Sequence, residues 1–532
     1  MAIEFITLDE NKYFPDISQN TAYLRHEVWD DFDYKTLFSL VIFDAKGNKH
    51  HIGNVKIGFV KQRPGWTTEK MPSSFTTLLD SFYSLGQDAD YYKNLIEKLS
   101  PEMASEVLTA LGDVSYLPER LVIADDEQSF NTSLLRSVRR LTIEQQFRRI
   151  LRGEAALTKY DFFYRKPSNE RYSGIEVGFK VKPNTKPSSN IHILIGRNGV
   201  GKTTLLNNMV NALLPDRGTL SETGFFAIES GFEEDIILPK DYFAGVVSVS
   251  FSAFDPFTPP YDQTDNSIGM QYYYVGLKKR SSRKDKNIFN DTLELKDRND
   301  LCIDFTNSLK LCFALTAKRD RWVKAIGKLE SDANFAEMSL LSLIDIYAQD
   351  SSDDKRQFGL EAIDLFKRMS SGHAVVLLTM TKLVETVEEK TLVLLDEPES
   401  HLHPPLLSAF TRALSDLLVN RNGVAIIATH SPVVLQEAPK SCVSILRRTR
   451  LTLNVDRPEN ETFAENVGIL TREVFGLEVS KSGFHNLLET SVSEGKSYEE
   501  IEREYNYQLG FEGKVILRSL ILAKDSKLET KR

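Results

Sequence analysis

Three groups of residues in this chain have the types and spacing to work on a phosphate ester. The first is the run Gly196, Arg197, Asn198, Gly199, Val200, Gly201, Lys202, Thr203 and Thr204. Its glycines let successive backbone N–H groups turn toward one anion, Lys202 brings positive charge to the β and γ oxygens, and the Thr203 hydroxyl is a ligand for magnesium. On this reading the Lys202 ammonium is exposed, touches only ligand and contributes little to folding. The second group is the acidic pair Asp396 and Glu397, with His430 further on. Asp396 suits a magnesium ion held through water, Glu397 suits polarisation of an attacking water, and the His430 imidazole can reach a γ-phosphate. The third group is Ser370, Ser371 and Gly372, small residues at the start of an apolar helical segment, where exposed N–H groups and the helix dipole favour an anion.

Each group needs an element to hold it. Ile191, His192, Ile193, Leu194 and Ile195 read as a strand running into the glycine-rich turn, and LLNNMVNALL, residues 205–214, as the helix leaving it. TLVLLDEP and VAIIATHSP are apolar runs that end in the carboxylates and in His430, and the helix opened by MSSGH runs on from Ala374. This strand, loop and helix context separates a phosphate-binding loop from a chance glycine turn.

The P-loop, MSSGH, LLDEPESHLHP and THSP, in that order, resemble the ABC-type ATPase heads of the SMC, RecF and OLD group. The resemblance implies an α/β fold: an ABC-type P-loop ATPase head with a mixed sheet, a helical insertion and a helical C-terminal tail. It implies ATP and Mg2+ as cofactors. It also implies that MSSGH is the signature motif completing the ATP site of a second subunit, and so a dimer or higher oligomer with shared sites. One element departs from the pattern. VVSVSFSAFDPF should end in a glutamine that senses the γ-phosphate, and Ser252, Ala253 and Asp255 occupy the region. The expected divisions are 1–256 for the first part of the head, 257–367 for the insertion, 368–463 for the second part of the head, and 464–532 for a tail that docks a partner.

At 532 residues and 41% apolar composition, the chain can bury a large core and is expected to hold about two to three compact units. Cys302, Cys312 and Cys442 form neither a paired framework nor a metal spacing, which suits a reducing cytoplasm. No signal peptide follows Met1 and no apolar run nears the ~20 residues that span a bilayer, so a cytoplasmic protein without membrane contact is expected. A net charge of -9 speaks against general coating of nucleic acid and leaves local basic patches open.

Along the chain, TLFSLVIFDAKGNKHHIGNVKIGFV reads as a hairpin with Gly47 and Asn48 in its turn, of the kind that opens ABC-type heads. Residues 76–112 turn helical, with Pro101 in a first turn. A long helix or helix pair over 131–153 carries Arg136, Arg139, Arg140, Arg148, Arg149 and Arg152, either as a solvated basic face or as a face for nucleic acid or a partner. Strands over 160–164 and Ile175–Val181 make the sheet mixed. In the insertion, Tyr272, Tyr273 and Tyr274 precede Lys278, Lys279, Arg280, Arg283, Lys284 and Lys286. That pattern suits single-stranded nucleic acid or a solvated loop tip. Without heptads and too short for coiled-coil arms, residues 257–367 read as a compact helical lobe.

CVSILRRTRLTLNV reads as a strand pair and the remaining tail as helices. The tail has no Asp-x-Asp pair, so no nuclease chemistry of the Toprim kind is expected. The tail from VFGLEVSKSG to LILAKD, together with RRLTIEQQFRRILRGEAALTKYDFFYRKP and VSFSAFDPF, is similar to the ATPase subunit of bacterial Septu and retron anti-phage systems, the PtuA family. That resemblance implies an ATPase that oligomerises and restrains a separate HNH nuclease until infection. In retron versions it implies a reverse transcriptase and its RNA-linked DNA as further partners. The alternative is a RecF-like DNA-repair ATPase that binds DNA directly. Leu487, Leu488, Val515, Ile516, Leu517, Leu520, Ile521 and Leu522 give the tail an apolar surface, either to pack on the head or to dock a partner.

Overall fold

Strands with almost no polar side chains need cover on both faces, and three such runs meet in one sheet. The computed structural model describes residues 3–529 except 141, 154–157, 170–172, 216–217, 230–234, 240–241, 254, 265–269, 286–287, 353–354 and 477–482. The central sheet has seven strands: β1 (Ile191–Gly196), β2 (Gly245–Ser250), β3 (Gln271–Gly276), β4 (Thr391–Asp396), β5 (Val424–Thr429), β6 (Val443–Thr449) and β7 (Thr452–Asp456). Their spatial order is β3-β2-β4-β5-β1-β6-β7. All neighbours are parallel except β6 and β7, the expected strand pair, which closes one edge antiparallel. β5 therefore lies between the strand that feeds the glycine-rich loop and the strand that ends in the carboxylates.

Side chains alternate across a sheet, and here that alternation separates two cores. Ile193, Val247, Val393, Leu395 and Ile427 face a helical layer. Its main helices are α2 (Arg298–Ala314), α3 (Thr316–Leu329), α4 (Arg356–Arg368), α5 (Ser371–Thr386) and α6 (Pro404–Asn420); α1 (Lys202–Leu213) belongs to the other side. Leu194, Val246, Leu392, Leu394 and Ile426 meet Leu205, Leu206 and Met209 of α1 there, together with Phe162, Phe179 and Phe226. Those phenylalanines come from an antiparallel sheet of Ile175–Val181, Tyr160–Lys166, Phe225–Ile228 and Ile236–Ile237. The fold is thus α/β with a mixed central sheet.

The first part of the chain departs from expectation. The predicted hairpin forms, Leu37–Phe43 against Lys49–Phe59, with Gly47 at φ +82° in its turn. It belongs, however, to a separate six-stranded sheet that also takes in Glu4–Leu8, Thr21–His26, Ser74–Phe75 and Phe82–Gly86. That sheet has its own core, with Phe5, Leu24, Phe38, Ile57, Leu85 and Leu95. Residues 76–112 accordingly begin with a strand before the helices Ala89–Lys98 and Pro101–Ala110, the second led by Pro101 and capped by Ser100. The basic segment 131–153 is broken into helical turns at Phe130–Leu134, Thr142–Phe147 and Arg148–Leu151. Several of its arginines are engaged within the fold: Arg139 is buried and donates to Gln271 Oε1 at 2.7 Å, Arg136 meets Asp31 at 2.8 Å, and Arg140 meets Asp125. A buried Asp88 ties this unit to the head, accepting from Arg321 of α3 at 2.8 Å and from Arg421, just past α6, at 3.1 Å.

The helical insertion forms only in part. It opens with β3, where Tyr272 pairs with Val246 and is buried, and continues as an antiparallel hairpin of Lys278–Asp285 and Ile288–Leu295 before α2 begins. The tail contains helices Val467–Phe475, Phe484–Ser493, Tyr498–Glu504 and Phe511–Glu529. Leu488, Val492, Ile501 and Leu517 bury one another in a small core, with Ile516, Leu520 and Ile521 packed against it, while Leu487, Phe511, Val515 and Leu522 stay exposed. Among the described residues no helix is long and apolar enough to cross a membrane.

Candidate active site

Open parallel sheets place ligands in the crevice beyond the carboxyl ends of their strands, and the candidate residues gather there. β1 ends at Gly196, where a Cβ would lie 2.5 Å from the Leu446 carbonyl oxygen of β6, so the close approach requires glycine. Gly199 and Gly201 sit at φ +76° and +106° with open space where a Cβ would be, so conformation is what selects glycine there. Lys202 begins α1 and is only 4% exposed. Its Nζ donates to Gly196 O at 3.1 Å and Arg197 O at 3.2 Å, and lies 3.7 Å from Glu397 Oε1. The expectation of an exposed ammonium without structural contacts is corrected: the loop folds its own carbonyls onto the lysine.

Asp396 closes β4, level with Ser250 of β2 and Ala428 of β5. Burial pushes its carboxyl up to about 7, with the negative charges of Glu397 and Asp255 adding to the effect and a hydrogen bond from Thr203 and the charge of Lys202 opposing it. Its Oδ1 is buried without a partner. A buried carboxylate short of both hydrogen bonds and positive charge, beside a threonine hydroxyl, fits a divalent cation. Among the described residues no group of three or more His, Cys, Asp or Glu side chains is arranged to hold a metal. Thr203 and Asp396 would therefore leave most positions to water and phosphate oxygens, the usual pattern for Mg2+.

Glu397 has a left-handed backbone, φ +46°, fixed by its N–H donating to Ala428 O at 2.8 Å. An L-residue held there costs about 1 kcal/mol or more. The turn leaves the carboxylate 3.7 Å from both Lys202 Nζ and His430 Nδ1. His430, just beyond β5, has a partner that sequence reasoning missed. Glu399 Oε1 lies 3.0 Å from His430 Nδ1 and accepts from the His430 backbone N–H and from the Thr429 hydroxyl, each at 2.7 Å. The only signal was a third acidic residue in LLDEPES.

The structure keeps the third group in a cluster of its own. Ser370 caps α5, and its hydroxyl lies 2.6 Å from His373 Nδ1. The Asp332 carboxylate bridges His373 Nε2 at 3.1 Å and His403 Nε2 at 3.0 Å. A Cβ on Gly372 would fall 2.3 Å from His401 O, so Ser370, Ser371 and Gly372 are seated against the segment just past the carboxylates.

The tyrosine and lysine stretch does not form a nucleic-acid platform in the described residues. Tyr272, Tyr273 and Tyr274 belong to β3, Lys278 is buried against Asp255, Lys279 pairs with Asp300 at 2.5 Å, and Arg280 lies over Tyr261. The side chains of Arg283, Lys284 and Lys286 lie outside the described residues.

Residues 348–436 match a family profile described as AAA domain, putative AbiEii toxin, Type IV TA system. The matched segment holds MSSGH, both carboxylates and His430. The chain is 46% identical to protein ea59 of Escherichia phage lambda, over 98% of this chain and 99% of that protein. Similar solved structures include a nucleotide-free ATP-binding cassette from an ABC transporter, with 13% identity, 60% of this chain, 99% of that chain and a TM-score of 0.30. UvrA2 from Deinococcus radiodurans is another, with 14% identity, 62% of this chain, 42% of that chain and a TM-score of 0.28. At those scores the overlays add nothing to the sheet order and loop geometry described above.

Proposed function

The chain belongs to the family of the phage lambda protein ea59, and we propose that it binds ATP with Mg2+ at the carboxyl end of its central sheet and hydrolyses it there. One observation carries this reading. Three adjacent strands each end in a group the reaction needs: Lys202 and Thr203 in the loop and helix after β1, His430 after β5, and Asp396 with Glu397 at the end of β4. Magnesium, when bound, supplies positive charge to the phosphate oxygens. Thr203 and Asp396 would hold it. Lys202, now bonded to carbonyls of its own loop, exchanges them for charge-assisted bonds to phosphate. Glu397 orients a water and draws its proton, and the backbone turn at φ +46° keeps its carboxylate between Lys202 and His430. Glu399 accepts from the His430 backbone N–H and so fixes where the residue leaves β5.

In this account Ser370, Ser371 and Gly372 close on the γ-phosphate held by a second copy, so the active species is a dimer with two shared sites. The narrower reading is that this ATPase restrains a separate HNH nuclease in antiviral defence of the Septu or retron kind. Its support is the similarity of the flanking segments and a tail that buries Leu488 and Leu517 yet leaves Phe511 and Val515 exposed for a partner. A reverse transcriptase and RNA-linked DNA would join in the retron form.

Glu397→Gln tests the catalytic part. ATP affinity should stay within about threefold while single-turnover hydrolysis slows by about 100-fold or more, because the amide keeps the shape and loses the charge. Hydrolysis at the parental rate would remove Glu397 from the mechanism.

A further inference from the structure

Beside the site lies a cavity of about 50 Å3 that the proposed chemistry leaves partly unused. Thr203 and Asp396 line it together with Ser250, Asp255 and Lys278. Lys278 Nζ donates to Asp255 Oδ1 at 2.5 Å and to the carbonyl oxygens of Asp255 and Phe257 at 2.7 Å each. The Ser250 hydroxyl donates to the other Asp255 oxygen at 3.3 Å. Lys278 is 4% exposed, so its ammonium has given up water for these oxygens, and among the described residues Asp255 is its one carboxylate partner.

The pair stands at a junction. Lys278 is the first residue of the hairpin Lys278–Asp285 and Ile288–Leu295. Its neighbour Lys279 pairs with Asp300, which with Asp297 makes the capping box at the start of α2. The cavity, the ion pair, the root of the hairpin and the first turn of the helical layer are therefore joined by two ion pairs on adjacent residues, Lys278 and Lys279.

We propose that the Asp255–Lys278 pair senses a magnesium-bound nucleotide: a cation held by Thr203 and Asp396 attracts the Asp255 carboxylate and repels the Lys278 ammonium, which frees the root of the hairpin. Both halves of the pair respond in the same sense, since one local positive charge acts on an anion and a cation together. Nucleotide without the metal supplies no such charge. The inference rests on the ATP site proposed above and adds a route by which occupancy of that site reaches the helical layer.

Hydrogen exchange of the full chain tests it, read in peptides covering both hairpin strands and the start of α2. Three states are compared: the protein alone, with a non-hydrolysable ATP analogue and EDTA, and with the analogue and Mg2+. Exchange in the hairpin should rise at least threefold only in the third state. In Asp255→Asn it should be fast in all three and unchanged by the metal. Lys278→Gln breaks the pair from the other side and should behave alike, so one variant that fails to fold does not end the test. Fluorescence of a methylanthraniloyl-labelled analogue reports binding separately. Analogue and Mg2+ bound with the wild-type hairpin unmoved would overturn the proposal, as would a metal response retained in both variants. No binding at all would overturn the ATP reading and this proposal with it.

Discussion

Replacing Glu399 by alanine removes three contacts at once, and each has a calculable consequence. Its Oε1 accepts from the His430 N–H and the Thr429 hydroxyl at 2.7 Å each, and lies 3.0 Å from His430 Nδ1. Hydrogen bonds to a charged group are worth about 1.5–3 kcal/mol each, so losing two costs about 3–6 kcal/mol, less whatever water recovers in the space left behind. Glu399→Gln keeps an acceptor at that position and should cost about 1 kcal/mol or less of stability. Both variants lose the negative charge 3.0 Å from the imidazole, so both should lower kcat by about 10-fold, roughly 1.4 kcal/mol of electrostatic support at the ring. KM for ATP should hardly move, because Glu399 is not placed to contact ATP in this account. Urea unfolding gives the first quantity and steady-state phosphate release the second. An alanine variant as stable as wild type, or a glutamine variant with unchanged kcat, would refute the role assigned to Glu399.

Asp88→Ala should cost about 3 kcal/mol in urea unfolding, because it leaves Arg321 buried without its hydrogen-bonded carboxylate while Arg421 keeps Glu388 at 2.8 Å, and should expose residues 1–151 to limited proteolysis; unchanged unfolding would show that the unit is held elsewhere. His192, buried on β1 with neither ring nitrogen bonded, has its pKa pushed down to about 3 by burial and then by Arg457. It is neutral in the fold, and the unfolded chain takes up its proton below pH 6.5. Its contribution is therefore full above 6.5 and is lost as pH falls toward 3, reaching about 2 kcal/mol of loss at pH 5. His192→Leu should remove that loss and add about 1 kcal/mol at pH 7, leaving the similar but smaller acid sensitivity of His26; equal unfolding midpoints of variant and wild type at pH 5 and pH 7 would contradict it.

The parts legible in the sequence were those whose surroundings are dictated locally. β1, β4 and β5 are almost wholly apolar apart from His192 and the strand ends, so they had to be interior strands, and the residues just past their carboxyl ends had to share one crevice. Gly199 and Gly201 announce their backbone angles by being glycine. The hidden parts were decided by distant partners. Glu399 works with His430, 31 residues away, and nothing in PES shows that. Lys278 sits in a basic run that looks solvated until Asp255 is found beside it, and the tyrosines before it form a strand that the flanking charges disguised. Alternation in the first 60 residues predicted a hairpin correctly, but not the sheet it joins, since pairing partners leave no local trace.

The central claim is a site built from the P-loop of one copy and MSSGH of another, and mixing two inactive variants tests it most directly. Ser371→Arg places a bulky cation where small groups must approach phosphate, while leaving Gly196, Lys202 and Thr203 intact; Lys202→Ala does the reverse. Each alone should be unable to hydrolyse ATP, with Ser371→Arg still binding it. In an equal mixture half the dimers are mixed and one of their two sites has both halves intact, so about a quarter of wild-type hydrolysis should return if the sites act independently. Normal hydrolysis by Ser371→Arg alone would contradict the account, since it would reduce MSSGH to the start of a helix.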